Sequence, residues 1–368
     1  MIMDINILNS NFDVIDILEH VESFIWNQRY NEISEMELEL LYTEDNIAKC
    51  SLGNYIWTTE TGNTLMLIEE IELNNSDVDY TTIIVKGRSL EAILSYRMMM
   101  VTKNVVGNVQ NIIKSLIEEN FTEPTNEART ISNFIFVESE DPDIIAKEIT
   151  ETQLKMGDDL LTTISKICQQ VGIGYIITFS DAGGIFFQLY NGINRSYDQS
   201  ILPWVTLSPE YDNIEDTSFF ISSKDYKNYT FIAGETKNDV TKYQEAYNGD
   251  SEPTGMYRRE IYTNASKVKQ TVDDVTVSDA EYLEMLKVEG LKKLYDTKVK
   301  ELFDGSLIGE GEFEYGKDFY LGDIIQAVTA FGNAYKVRVK EVIYAIDGQG
   351  YKKYPGLEKI EEEITYGN

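Results

Sequence analysis

The strongest constraint in the sequence is the alternation of glutamate with apolar residues at the start of segment 35–42, over residues 35–40. Met36, Leu38 and Leu40 alternate there with three glutamates. Because successive side chains of a strand point to opposite faces, this period of two predicts a strand with one buried face and one acidic face. Other extended segments, separated by short turn signals, occupy residues 24–30, 55–60, 64–73 and 80–88. Residues 4–100 are therefore predicted to form an antiparallel barrel or sandwich.

After residue 100 the pattern changes to helical spacing. Asn108 precedes a helix-like apolar pattern, and Asp159 precedes a second one that ends near Gly172. Side-chain oxygens at these positions suit helix N-caps, and glycine suits a helix C-terminus. Two strand-like segments joined by a glycine-containing turn follow, up to residue 192, and predict a hairpin. These features indicate an α+β domain.

Strand character returns in the last part of the chain, interrupted by a polar segment. Within that segment Ser278 and Glu281 have the spacing of a capping box and predict the start of a helix. The predicted fold class is α+β, mostly β. The predicted domains are a first β-barrel at 1–100, the α+β domain at 101–198, a second β-barrel at 199–240 and 305–357, a loop-plus-helix insertion at 241–304, and an acidic tail at 358–368.

Charge limits the partners of this chain. It has 63 acidic and 32 basic residues, a formal net charge of −31 and a pI near 4.3. Binding nucleic acid by neutralising phosphates requires clustered Lys and Arg, so specific nucleic-acid binding is not expected. No apolar stretch approaches the ~20 residues of a membrane-spanning helix. The first twenty residues lack the features of a signal peptide, so we expect synthesis and assembly in the cytoplasm.

Residues suited to catalysis or metal binding are scarce. His20 is the single histidine, which disfavours a zinc site and a histidine-based triad, and Cys50 and Cys168 are expected to be buried thiols. No phosphate-binding glycine motif occurs, and the acidic clusters suit solvated loops better than calcium sites or a glycosidase pair. We expect no catalytic, cofactor or metal site. Trp26, Trp57 and Trp204 leave open a sugar-stacking surface, although tryptophans in strands are more often core or interface residues.

Four short blocks follow one another along the chain. The first is Trp-x-x-Arg-Tyr, and the second is Lys-Gly-Arg-Ser-Leu with a later Arg. The third is Tyr-x-Gly-x-x-Arg, and the fourth is Tyr-Gly-x-Asp-Phe-x-Leu-Gly-Asp. Their signature residues are Trp26, Arg29, Tyr30, Gly87, Arg88, Arg97, Tyr190, Gly192, Arg195, Tyr315, Gly316, Asp318, Gly322 and Asp323. In this order, the blocks resemble the tail-hub family of long-tailed phages and prophages, which includes the N-terminal part of tail-associated lysins. Ser34 departs from the family pattern, which has glycine in that turn.

The resemblance implies a homotrimer with two tail-tube-like barrels per subunit, forming a ring at the tail tip of the virion. The tail tube or a distal tail protein would lie above the ring, and spike, fibre or baseplate proteins below it, with DNA passing through. Relatives that are cell-wall-degrading enzymes carry a lysin domain after the hub portion, whereas this chain ends at Asn368, so we expect a structural protein. A carbohydrate-binding adhesin is the alternative.

Several of these residues also have a physical interpretation. Gly87 and Gly322 are expected to allow close approaches that a Cβ atom would block. Arg88 and Arg97 suit either buried partners at a subunit seam or simple exposure after a strand, and spacing alone does not separate these.

Overall fold

The computed structural model describes residues 3–18, 20–77, 80–180, 182–272, 275–308, 312–328, 334–348 and 350–360. The first segment consists of strands with one short helix: β1 (Ile5–Leu8), β2 (Val14–Leu18), β3 (Ser23–Arg29), β4 (Glu35–Leu41), α1 (Glu44–Lys49), β5 (Tyr55–Thr58), β6 (Met66–Asp77) and β7 (Tyr80–Ser89). In β4, Met36, Leu38 and Leu40 are buried while Glu35 and Glu37 are exposed. The alternation predicted for this strand is confirmed.

The second segment combines helices with short strands: β8 (Lys103–Asn108), α2 (Val109–Ile117), β9 (Phe134–Val137), α3 (Pro142–Ile145), β10 (Glu148–Leu154), α4 (Leu160–Val171), β11 (Gly174–Phe179) and β12 (Ile185–Tyr190). Asn108 caps α2 and Asp159 caps α4, and Gly172 ends α4 in the left-handed conformation, as predicted. The predicted hairpin is the antiparallel pair β11–β12, and β9 adds to β12 in parallel.

The last segment contains most of the remaining strands and one long helix: β13 (Thr206–Leu207), β14 (Ile214–Ser222), β15 (Tyr229–Lys237), β16 (Val240–Tyr247), β17 (Glu260–Asn264), β18 (Thr271–Val272), β19 (Val275–Thr276), α5 (Asp279–Tyr295), β20 (Lys300–Leu307), β21 (Ile324–Val328), β22 (Ala334–Asp347) and β23 (Gly350–Lys359). Ser278 and Glu281 form the predicted capping box at the start of α5. None of the helices in the described ranges is long and apolar enough to cross a membrane.

The main sheet differs from the two barrels predicted from the sequence. Its strand order is β14-β20-β23-β22-β3-β4-β7-β6-β5-β1-β2, with β21 on β22 and β13 on β21, and no circuit closes among the described strands. The pairing of β3 with β22 joins the first segment to the last. One apolar core underlies both parts, with Trp26 and Leu38 packed in the same cluster as Val339 and Leu357. The apolar contacts thus merge the strands of both predicted barrels into one open sheet.

The second correction concerns β15, which the sequence analysis assigned to the second barrel. It pairs instead with β16 and in parallel with β17, in a separate three-stranded sheet that packs on α5. Ile232 of β15 is buried against α5 because Gly290 of the helix leaves room for its side chain. The insertion is therefore a small sheet with a helix rather than a loop with a helix. Of the predicted tail, Glu358 and Lys359 end β23, and residues 361–368 lie outside the described residues.

Candidate functional site: the junction of three segments

Three of the four signature blocks meet at one buried place, here called the junction. Tyr30 follows β3, Tyr190 ends β12 and Gly192 comes two residues later, while Gly322 and Asp323 immediately precede β21. Backbone hydrogen bonds of residues 193–195 with residue 324 hold the chain after β12 against the start of β21. The junction thus ties the first segment, the α+β domain and the last segment to one another.

Tyr30 is the centre of the junction. Its side chain is fully buried, and its ring meets that of Tyr190 edge-on with centroids 5.2 Å apart. The Tyr30 hydroxyl donates to the Gly172 carbonyl at 3.1 Å and accepts from the Gly192 amide at 3.2 Å. The Arg338 guanidinium lies 5.1 Å from the ring centroid. Burial raises the pKa of Tyr30, so the phenol stays protonated and remains a donor.

Glycines surround Tyr30 because no side chain fits between the segments. A Cβ atom on Gly174 would lie 2.5 Å from the Tyr30 ring, and one on Gly322 would lie 2.3 Å from it. A Cβ atom on Gly192 would lie 1.7 Å from the Gly322 carbonyl oxygen. Gly322 also has a φ of +91°, in the region that L residues rarely adopt. The close approach expected at Gly322 is confirmed, and its neighbour across the gap is Tyr30.

Asp323 supplies the charge of the junction. Its Oδ1 accepts from the Ile193 amide at 2.7 Å, and its Oδ2 accepts from Arg195 Nε at 2.9 Å and the Tyr320 amide at 3.0 Å. The side chains of Arg195 and Asp323 are only 15% and 3% exposed. A buried ion pair is stable only when its remaining hydrogen-bonding positions are satisfied, as they are for this carboxylate. The pair fixes the chain after β12 against the turn before β21.

Comparison with known protein families gives a match over nearly the whole chain. A family profile described as Siphovirus ReqiPepy6 Gp37-like protein matches residues 4–355. The chain belongs to this family of siphovirus tail proteins. The match spans all three segments that meet at the junction. A comparison with curated proteins gave no match.

Two solved structures share the fold of this tail protein. The 43 kDa tail protein of prophage MuSo2 from Shewanella oneidensis aligns with a TM-score of 0.57 and 12% identity, over 97% of this chain and 98% of that chain. The tail protein from Neisseria meningitidis MC58 also aligns with a TM-score of 0.57 and 12% identity, over 98% and 97%. The likeness extends over the full length of all three chains and is one of fold.

Of the four signature arginines, only Arg195 lies in the junction, and the other three have partners elsewhere in the chain. Arg88 forms a fork with Glu69, with distances of 2.5 and 2.7 Å, and Arg29 pairs with Glu35 at 3.0 Å. Arg97 donates to the carbonyls of Asn120 and Arg129 and stacks on Phe121. These contacts occupy the guanidinium groups without a second subunit.

The remaining signature residues are structural. Trp26 is buried in the core of the main sheet, and Gly87 leaves room for the Leu67 carbonyl, from which a Cβ atom would be 2.2 Å away. In the fourth block, Tyr315 meets Phe319 edge-on at 5.6 Å, and Asp318 accepts from the Glu314 amide. Gly316 has a φ of +91° with open space around it.

Two charged groups near the junction, one buried and one partly buried, were missed in the sequence. Glu91 is 5% exposed, and its Oε1 accepts from the Ile177 amide at 2.6 Å, which links the first segment to β11. Desolvation raises the pKa of this carboxyl group. Arg338 lies against Tyr30 and donates to the Gly322 carbonyl at 2.9 Å. Neither residue stands in a recognisable motif, because their partners are distant in the chain.

The chemical inventory of the described residues is small. They contain no group of three His, Cys, Asp or Glu side chains placed to hold a metal ion. His20 is exposed, and Cys50 and Cys168 are buried free thiols whose pKa values burial raises, that of Cys50 to about 11. Among the tryptophans, Trp26 is buried, and the indoles of Trp57 and Trp204 donate to the carbonyls of Gly62 and Gln199. The described geometry suits a scaffold.

Proposed function

We propose that this tail protein is a hub subunit, three copies of which form a ring that joins the tail tube to the spike or fibres of the tail tip and lets DNA pass. Membership of a siphovirus tail protein family supports a role in the phage tail. One observation carries the ring itself: the main sheet contains an antiparallel run of strands with a free edge at one end and a partly free edge at the other. Homotrimeric stoichiometry comes from the family resemblance stated above.

The run consists of β14, β20, β23, β22, β3, β4, β7 and β6, each antiparallel to the next. Among the described strands, β14 pairs only with β20. β5 pairs with Met66 and Leu67 of β6, and the residues just before β5 bond to Ile68, so residues 70–75 have no described strand partner on that side. Because the run has an even number of strands, β14 and β6 point in opposite directions. β14 of one copy could therefore continue the antiparallel ladder of β6 in the next.

Both edges carry exposed apolar side chains. Phe220 and Ile221 of β14 are 52% and 60% exposed, and Leu73 of β6 is 52% exposed. An exposed apolar edge strand promotes aggregation unless another strand pairs with it. Head-to-tail pairing around a closed ring covers every such edge with the same contact. The ring therefore accounts for both edges with one type of interface.

The charge of the main sheet indicates which of its faces would line the lumen of the ring. The face of β4 that points away from the apolar core carries Glu35, Glu37 and Glu39, and the same face of β6 carries Glu70 and Glu72. Lys86 and Arg88 of β7 lie between them on this face, so five carboxylates face two cations and the face stays acidic. We assign this acidic face to the lumen, where it would repel the phosphates of passing DNA. A map of the assembled ring with a neutral or basic lumen would contradict the assignment.

Multi-angle light scattering over a range of concentrations tests the ring. The expected result is a trimer of three 42.1 kDa chains, stable or driven by concentration. The edge variants Ile221→Lys and Leu73→Lys should each shift the mass toward monomer, because a charge on the edge opposes strand pairing. Val106→Lys is the matched control, since Val106 is 68% exposed on β8, outside the main sheet. A strict monomer at all concentrations, or equal effects of all three variants, contradicts the proposal.

A further inference from the structure

The insertion sheet has one covered face and one open face. Ile232 and Ala246 point to the covered face and pack with Tyr282 and Leu286 of α5. On the opposite side, Phe231 pairs with Glu245 of β16 and with Tyr262 of β17. The outer face is defined here by Tyr229, Phe231, Tyr243, Glu245, Tyr247 and Tyr262.

Aromatic rings dominate the outer face, and most of them are open to solvent. Tyr262 is 59% exposed, Tyr243 is 54% exposed, and Phe231 is 38% exposed. The rings of Phe231 and Tyr243 stack with centroids 5.2 Å apart and an interplanar angle of 21°. Clustered exposed aromatics are typical of a binding surface, because their large apolar area gains free energy when a partner covers it.

One end of the outer face already holds a cation. The Arg258 guanidinium lies 3.4 Å from the centroid of the Tyr229 ring. Its Nε is 2.5 Å from Glu260 Oε1, and its Nη1 pairs with Glu252. Stacking on an aromatic ring between carboxylates is the arrangement that suits a planar guanidinium. The stack covers Tyr229, which is 5% exposed while its neighbours remain open.

Next to this stack, the outer face again carries aromatic rings beside a carboxylate, but no basic side chain among the described residues lies on the rings. Glu245 lies opposite Phe231, and Tyr262 flanks Phe231 on the other side. Glu245 is exposed and is hydrogen-bonded to the Tyr229 phenol, and it forms no ion pair with a basic side chain among the described residues. The row therefore offers two aromatic rings and an uncompensated carboxylate.

We propose that the outer face binds an arginine-bearing segment of a partner protein, with the guanidinium stacked on Phe231 and Tyr262 and paired with Glu245. Charge complementarity selects this partner: the exposed Glu245 carboxylate, beside the rings of Phe231 and Tyr262, attracts a guanidinium group. A dry apolar partner would bury the Glu245 carboxylate without a counter-charge, which is costly. Arg258 on Tyr229 shows the same chemistry within the chain.

Isothermal titration calorimetry of the full chain tests the site, with an acetylated and amidated Gly-Arg-Gly-Arg-Gly peptide as the probe. We expect saturable binding that weakens with added salt. Glu245→Gln and Tyr262→Ala should each weaken binding about 3-fold, the scale of an exposed ion pair or cation–π contact. Glu284→Gln on α5 and Tyr320→Ala are matched controls, because both side chains are exposed away from the outer face. They should leave binding unchanged.

Two results would overturn the proposal. Equal affinity in all four variants would show that the peptide is attracted by net charge and not by the outer face. Binding of a neutral chitotriose without binding of the peptide would assign the face to glycans. As a folding control, Tyr262→Ala should unfold at the same temperature as the parent protein in a thermal scan. The outcome is independent of the ring, since the outer face lies outside the main sheet.

Discussion

The junction and the outer face of the insertion are built from the same residue types but differ in what completes them. At the junction, Tyr30 is enclosed and its hydroxyl is bonded within the chain, and Asp323 has Arg195 as its counter-charge. On the outer face, Tyr262 is open to solvent, and Glu245 has no basic partner among the described residues. The difference shows two uses of the same residue types. Aromatic and charged residues with partners inside the chain hold its segments together, and exposed ones without such partners indicate where another molecule binds.

The largest expected effect comes from Gly322→Ala. The added Cβ would lie 2.3 Å from the Tyr30 ring, and the backbone φ of +91° would be strained as well. We expect a loss of about 3–5 kcal/mol in the free energy of unfolding, typical of overpacking combined with backbone strain. Chemical denaturation measures it.

Gly316→Ala is the matched control for this variant. Gly316 has the same φ of +91°, but nothing lies within 4 Å of its added Cβ. Backbone strain alone should cost about 1 kcal/mol. If both alanine variants lost the same free energy, the packing of the junction around Tyr30 would contribute nothing, and the contrast with the open outer face would fail.

Asp323→Asn should have the second largest effect. The amide keeps the shape of the side chain but leaves Arg195, 15% exposed, without its counter-charge. Removing one partner of a buried pair costs about 3 kcal/mol. Asp318→Asn is the control, because Asp318 accepts from the Glu314 amide in an exposed turn, where about 0.5–1 kcal/mol is expected. Equal losses in urea denaturation would mean that the buried charge is not what holds the two segments.

The smallest expected effect is that of replacing Glu91, a buried carboxyl group with no counter-charge in its described contacts. It tests whether a buried charge without a partner is costly inside the chain, in contrast to the exposed Glu245. Desolvation raises its pKa above the ordinary value of 4.5. The unfolded chain therefore ionises first, so stability is lost as the pH rises from the ordinary pKa through the raised one. Glu91→Gln should therefore unfold at a higher temperature than the parent near neutral pH, and the difference should disappear at about pH 4. Thermal unfolding of both proteins, measured between about pH 4 and 8, tests this. Glu245→Gln controls for the loss of one negative charge. A difference that does not change with pH would contradict the interpretation.

Local features of the fold were predictable from the sequence because their causes are local. The alternation over 35–40 reports the two faces of a strand, and Asn108, Asp159 and Ser278 cap helices through the residue three positions ahead. The signature blocks were also visible as residue patterns. Their order along the chain indicated the family that the profile match then showed.

Contacts between distant segments were not predictable in the same way. The number of barrels depended on whether Trp26 and Tyr344, opposite each other in the β3–β22 pair, would share one sheet. The assignment of β15 depended on α5, which begins more than forty residues after it and covers one of its faces. Neither choice leaves a periodic signal, because the apolar alternation of a strand is the same whichever partner it pairs with.

The sequence by itself determined the strands, the helix caps, the acidic charge and the family, since each follows from residues near one another or from composition. Only the tertiary structure decided that Tyr30, Gly192 and Asp323 meet at one junction, and that one sheet joins both ends of the chain. Only the tertiary structure left Phe231 and Tyr262 uncovered. The physical reason is that burial is a property of the whole packed chain, because the free energy of covering an apolar side chain depends on which distant segment reaches it.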